Sequence, residues 1–385
     1  MTVETVSLGC RLNFAETETI ARTAPEGEHW VVVNSCAVTN EAVRQTRQAI
    51  RHARRRRPDA RILVTGCAAE LDRNSFERMP EVTRVVGNAG KLRAFDAKTS
   101  SVAAGSHSHV RSFVAVQNGC DHRCTFCSIW QARGASVSLP FEAIRDAIAR
   151  ELDRGAKEIV LTGVDITDYE GGLGKLCQQL LSAEPRLKRL RLSSLDSIEI
   201  DDALFELLPD KRLLPHFHLS LQSGDDLILK RMKRRHSRAQ AVAAVERIKV
   251  IRAESTIGAD IIAGFPTETE DMAGNSLRLL EDCDIIAAHI FPFSPRPDTP
   301  AARMPQLDRK VVKARATKLR EAATARRNRW LDTFVGSSTT VLMESGGKGH
   351  NDSFAPVAIS ETLRGELLTA RITERDGDHL IGFRA

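Results

Sequence analysis

The 385 residues suffice for two or three domains with full-sized cores. An apolar share of 42% and a charged share of 28% exclude a disordered chain, a collagen-like fibre and a small disulfide-stapled scaffold. The 56 bases exceed the 50 acids by 6, a mild excess that suits an anionic partner, while aromatic residues at 5% argue against binding single strands mainly by base stacking.

The sequence has no apolar run of about 18 residues, so no membrane-spanning helix and no membrane partner are expected. Residues 1–16 lack a basic start followed by an apolar stretch, and a cytoplasmic protein is expected. In a reducing compartment the eight cysteines are not four disulfides; they are metal ligands, reactive thiols or core residues.

Residues 1–96 alternate short apolar runs (5–8, 30–33, 62–64) with helix-like stretches (15–23, 40–57), the pattern of a Rossmann-like parallel sheet. The small, polar residues 97–110 read as a linker. Across residues 111–300, six apolar runs (113–116, 158–161, 190–192, 216–221, 256–262, 285–290) alternate with helical patterns. Six such units suit a partial (β/α)6 barrel better than a closed eight-fold one. Pro292, Pro295, Pro297 and Pro300 end this domain in a rigid extended segment. A connecting segment, 301–334, carries a helical stretch over 308–333 with nine bases and three acids. Residues 335–385 are β-like with glycine turns, a small all-β barrel.

Cys120, Cys124 and Cys127 form C-x3-C-x2-C just after a predicted strand. A tight loop can offer three such thiolates to one cluster, leaving one iron of four open. A structural zinc site would want a fourth Cys or His at matching spacing, and His122 is badly placed to serve. Cys10, Cys36 and Cys67 each end a predicted strand. Strand C-termini of a parallel sheet share one edge, so these three can converge on a second cluster; three buried core cysteines account for their spacing alone equally well. Cys177 and Cys283 stand in helix-like apolar surroundings and read as core residues.

The cysteine triplet, with Phe126 before its last member, resembles the radical S-adenosylmethionine enzymes. Gly9-Cys10-Arg11-Leu12-Asn13, Asn34-Ser35-Cys36-Ala37-Val38-Thr39 and Thr65-Gly66-Cys67-Ala68 narrow the resemblance to the methylthiotransferases within them. So do Leu219-Ser220-Leu221-Gln222-Ser223-Gly224 and the segment from Gly258 to Pro266; nearly the whole chain is covered. The resemblance implies two [4Fe-4S] clusters, one on each cysteine triad, and S-adenosyl-L-methionine as source of both methyl group and radical. It implies an electron donor such as flavodoxin or ferredoxin, and a sulfur source. It also implies cofactor or substrate groups near Gly163, Asp165, Ser193, Gln222 and Asp260, at predicted strand ends of the barrel.

Three substrates occur in the family: threonylcarbamoyl- and isopentenyl-adenosines beside the tRNA anticodon, and a ribosomal-protein aspartate. The segments around Cys10 and Cys36, with Met232-Lys233-Arg234-Arg235-His236, look most like the threonylcarbamoyl-adenosine branch. A reading from another class is an iron-sulfur RNA-binding protein without turnover. Arg44, Arg47, Arg51 and Arg55 recur at helical spacing and could contact phosphates of an anticodon stem-loop; a solvated helix face explains them as well. The final 51 residues resemble the small RNA-binding barrel of these enzymes, the TRAM module, yet hold seven acids against five bases.

Overall fold

A computed structural model of the chain describes residues 3–25, 27–95, 102–105 and 110–385. In the first unit β1 (Val3–Ser7), β2 (Trp30–Ser35) and β3 (Arg61–Gly66) pair in parallel in chain order, with β4 (Arg84–Val85) at the edge. The intervening helices are α1 (Arg11–Ala21) and α2 (Asn40–Arg56), and α3 (Cys67–Leu71) and α4 (Arg73–Glu77) follow β3. Val31, Val33, Ile62 and Val64 face one core with Ile50 and Ala53 of α2; Trp30, Val32 and Leu63 face another with Ile20 of α1. Covered on both faces, these strands read as unbroken apolar runs rather than alternating ones.

Part of the expected linker is structured. Ala104–Gly105 form β5, antiparallel to β6 (Arg111–Ala115), and residues 102–105 are buried. Residues 97–101 and 106–109 lie outside the described residues. A short hairpin, β7 (Gln117–Asn118) with β8 (Val137–Ser138), encloses the cysteine loop and α5 (Ile129–Arg133). Then come α6 (Phe141–Asp153), β9 (Glu158–Thr162), α7 (Leu173–Ala183), β10 (Leu190–Leu192), β11 (Ser194–Leu195) and α8 (Asp202–Leu207). The unit continues with β12 (His216–Gln222), α9 (Asp226–Met232), α10 (Arg238–Ile251), β13 (Thr256–Ala263), α11 (Glu270–Asp282) and β14 (Ile285–Pro292).

The parallel strands run β6-β9-β10 in one sheet and β11-β12-β13-β14 in the next, joined by a Leu190–Leu213 bridge. Six β/α units thus curve into a partial barrel, the architecture expected from the sequence. Alternation along the strands sorts the side chains. Val114, Ile159, Leu161, Leu190, Leu192, Phe217, Leu219, Ile257 and Ile261 join the helices in the largest core, where Cys177 and Cys283 are fully buried. Their alternates point into the lumen.

The basic helix α12 (Arg309–Asp332) packs along β13 and β14, burying Ala316, Leu319 and Ala323 in that core. It leads to a closed antiparallel-rich barrel of β15 (Ser338–Ser345), β16 (Lys348–Asn351), β17 (Pro356–Ala358), β18 (Leu367–Asp376) and β19 (His379–Arg384), around Val341, Met343, Val357, Ala370, Ile372 and Leu380.

Candidate active site

Each cysteine of the first triad comes within three residues of the end of a strand of the N-terminal sheet: Cys10 caps α1, Cys36 leaves β2 and Cys67 opens α3. Their thiols lie within electrostatic reach of one another at the shared C-terminal edge. Gly9 makes the approach possible. Its φ is +93°, and a Cβ there would sit 2.6 Å from the Cys36 sulfur.

The second triad sits on the loop after β7. Cys120 N–H donates to Gly134 O (3.1 Å), Cys127 N–H to Cys124 O (3.1 Å) and Thr125 N–H to Met232 O (3.0 Å), while Ala301 N–H donates to Thr125 O (3.0 Å). Phe126 anchors the loop among Ile228, Met232, Ile262 and Phe265. Gly119 (φ +79°) turns the chain where a Cβ would collide with the carbonyl of Ala135. Gly119→Ala is therefore expected to misplace Cys120 and halve the iron bound on reconstitution without unfolding the chain, as iron assay and circular dichroism would show.

The two triads face each other: Cys67 interacts electrostatically with Cys127. Between them lies Arg133, at the end of α5 on the cysteine loop's own helix. Its Nε is 3.2 Å from the Cys67 sulfur; its other nitrogens donate to Glu16 (2.6 Å), Asn13 (2.5 Å) and Asn118 (3.1 Å). Two further guanidiniums attend thiols. Arg234 is 3.8 Å from Cys124 and 2.7 Å from Asp196, and Arg296, bonded to Asn40 (2.5 Å), lies within electrostatic reach of Cys36. Burial pushes the Cys36 and Cys120 thiols up to about 12 and Cys127 to about 11, so without metal they stay protonated at neutral pH. Iron binding must displace those protons.

The donor chemistry fits cluster binding. Each triad offers three soft thiols backed by cationic donors. His122, near the Cys120 sulfur, is hydrogen-bonded to Asp165 with Glu199 3.5 Å away; bonding to Asp165 outweighs burial and raises its pKa.

Asp165 lies at the same end of the barrel as the cysteine loop, 4.0 Å from the Cys120 sulfur, and accepts from Thr167 (2.9 Å). Gly163 packs against Gln117, which takes the Val164 and Asp165 amides through its side-chain oxygen. Ser193 is buried between β10 and β11, its amide bonded to Leu161 O (3.0 Å), and Gln222 ends β12 with φ +66°. Asp260 stands apart, deeper in the lumen, accepting from His218 (3.0 Å) and His289 (3.1 Å). Burial would raise its carboxyl, but these histidines hold it well below the usual range.

Beneath lies a charged network that the sequence reading missed. Buried Glu158 pairs with Arg111 (2.6 Å), Arg191 (2.9 Å) and Arg189 (3.1 Å). The C-terminal barrel closes this end: Arg111 reaches Glu344 (2.8 Å), Arg189 pairs with Asp352, and Phe354 stacks on His216 with ring centroids 5.3 Å apart. The alternation in Arg189-Leu-Arg191-Leu was the available signal, since a strand covered on both faces should not carry it.

The four arginines of α2 do not share one state. Arg44 pairs with Glu41 (2.8 Å from Nε), Arg47 with Asp72 (3.3 Å) and Ser75, and Arg51 stands 4.0 Å from Glu81. Arg55 is exposed and has no acidic partner among the described residues. Arg44, Arg47 and Arg51 line one groove with Asn40. On α12, Arg315, Arg326 and Arg329 are tied to acids of the central unit.

Residues 114–280 match the model of the Radical SAM superfamily, and residues 2–87 that of Uncharacterized protein family UPF0004. The chain is 40% identical to the threonylcarbamoyladenosine tRNA methylthiotransferase MtaB of Rickettsia prowazekii, over 96% of this chain and 94% of that protein. To the protein of that name from Thermotoga maritima it is 31% identical, over 100% and 97%. A tRNA-2-methylthio-N(6)-dimethylallyladenosine synthase of Erythrobacter litoralis is 31% identical, over 89% and 86%. Among solved structures, the radical S-adenosylmethionine methyltransferase TsrM of Kitasatospora setae, with cobalamin and a [4Fe-4S] cluster bound, shares the fold. Its TM-score is 0.56 at 15% identity, over 74% of this chain and 68% of that one.

Proposed function

Since this chain belongs to the radical S-adenosylmethionine methylthiotransferases, we propose that it replaces the C-2 hydrogen of N6-threonylcarbamoyladenosine, beside the tRNA anticodon, with a methylthio group. The carrying observation is the facing pair of thiol triads, with Arg133 between them and Cys67 within electrostatic reach of Cys127. Hydrogen abstraction and sulfur insertion act on one carbon, so their two sources must open on one space.

In this reading Cys120, Cys124 and Cys127 hold the cluster that binds S-adenosylmethionine, and Cys10, Cys36 and Cys67 hold a second. When bound, these groups supply the hydrogen-abstracting radical and the sulfur. The chain's own residues do the rest. Arg133, buried and fixed by Glu16 and Asn13, sets the spacing of the two triads and donates to Cys67. Arg234 places a cation beside Cys124 and is itself held by Asp196 and Ser220 O. Asp165, Gly163, Ser193 and Gln222 border the cofactor end of the lumen. The exposed bases of α2, Arg55 foremost, contact the stem-loop backbone. An external one-electron donor and a sulfur source complete the cycle. The threonylcarbamoyl substrate follows the relatives' names; an isopentenyl-adenosine substrate is the alternative.

Nucleoside mass spectrometry of tRNA from a deletion strain tests the reading: the 2-methylthio form of threonylcarbamoyladenosine should vanish and its unthiolated precursor accumulate. Unchanged levels would overturn it. The second cluster is tested by iron counting. The fully reconstituted chain should hold about eight irons and Cys36→Ala about four, since each cluster takes four.

A further inference from the structure

Arg11 directly follows Cys10 and opens α1, yet its side chain leaves the N-terminal unit. The guanidinium carbon lies 5.9 Å from the Phe113 ring of β6 and 6.0 Å from the Phe354 ring of the C-terminal barrel. It therefore enters the lumen of the central barrel from the side that α1 covers.

Its state there is unusual. The neighbouring lumen arginines all have carboxylate partners: Arg111 has Glu158 and Glu344, Arg189 has Glu158 and Asp352, and Arg191 has Glu158. The guanidinium of Arg11 has no hydrogen bond or ion pair among the described residues. Asp260 makes no hydrogen bond to it; the Oδ1 of that carboxylate accepts from His218 and His289. As a guanidinium, Arg11 stays charged at neutral pH. A partly buried guanidinium flanked by two aromatic rings, with no carboxylate in hydrogen-bond contact and with Arg111 and Arg191 over the same Phe354 ring, is a prepared anion site. The lumen is open at this level, since the side chain of His289 is 63% exposed.

We propose that Arg11 binds the carboxylate of the amino-acid group carried on N6 of the substrate adenosine, and so selects it over a base with an uncharged N6 substituent. This rests on the tRNA reading above. Planar guanidinium and carboxylate match in two parallel hydrogen bonds. An isopentenyl group in the same place would leave the guanidinium without either water or a partner.

The test uses the reconstituted full chain and anticodon hairpins bearing either threonylcarbamoyladenosine or its neutral carboxylate methyl ester. Wild type should favour the acid by about 10- to 100-fold in kcat/KM, carried mainly by KM, as expected for one charged hydrogen-bonded pair. Arg11→Gln should bring the ratio close to one, and Arg11→Lys should restore part of it. Equal use of acid and ester by wild type would overturn the subsite even if the variants failed to fold, and so would an unchanged ratio in Arg11→Gln. If wild type modifies neither hairpin, the tRNA reading itself falls, a result distinct from modification of both equally.

Discussion

A Cys124→Ala chain is expected to form no 5′-deoxyadenosine from S-adenosylmethionine and no methylthiolated RNA, with both signals at background. Bound iron should fall from about eight to about four per chain, the content of one cluster. Cys124 is the most enclosed thiol of its loop, at 7% exposure. No neighbour can replace it as a ligand: His122 is engaged by Asp165 and approached by Glu199, and Arg234 is a cation. The loop around it is held by backbone bonds from Thr125, Cys127 and Ala301 and by Phe126 in its apolar pocket, none of which needs the thiol. The metal-free variant should therefore melt with the metal-free parent. Cys177→Ala makes the contrasting control. It removes a fully buried sulfur from the main core and should lower stability by roughly 1–2 kcal/mol as a small cavity, with iron content and deoxyadenosine formation intact. A Cys124→Ala chain that still made deoxyadenosine would remove the loop from the chemistry.

Glu158→Gln should be the most damaging substitution away from the cysteines, costing about 3–5 kcal/mol in denaturant unfolding. Glu158 is fully buried and is shared by Arg111, Arg189 and Arg191. The amide keeps the volume and some hydrogen bonds, but three guanidiniums then face one another with only Glu344 and Asp352 to offset them. The pH dependence gives the test a sign. Burial would raise the Glu158 carboxyl, but Arg191, Arg111 and Arg189 outweigh it and hold the pKa far below its usual value. Its stabilisation is complete above the unfolded value of about 4.3 and declines as pH falls towards the folded one. The stability gap between variant and parent should therefore narrow on acidification below about pH 4. A gap independent of pH would assign the loss to packing rather than charge.

Much of the architecture was legible because it rests on local patterns. Cys10, Cys36 and Cys67 could be placed on one edge because each follows a strand, and parallel strands in chain order align their ends. The basic helix was legible to within a residue at each end, since Asp308 and Thr333 flank it as caps. What remained hidden depends on contacts between distant segments. Arg133 carried no signal in the sequence, and only the packing of α5 against α3 brings it to Cys67. On α2 the partner of Arg44, Glu41, is in plain view one turn earlier, whereas the acids beside Arg47 and Arg51 come from outside the helix, where the local pattern did not show them. Arg11 was visible only as part of a motif, because nothing in Gly-Cys-Arg-Leu-Asn says that its side chain leaves its own domain.

The meeting of Arg11 with Phe354 has a consequence for the order of assembly. These residues come from opposite ends of the chain, and Phe354 is also where Arg111, Arg191 and His216 converge. During synthesis the sheet of the first 90 residues can collapse early on local contacts. The lumen of the second unit must wait, its charges hydrated, until the C-terminal barrel has left the ribosome. Nascent chains stopped before residue 335 should thus carry a folded, protease-resistant N-terminal sheet beside a soft central barrel. The lumen becomes whole only once the C-terminal barrel has docked on it.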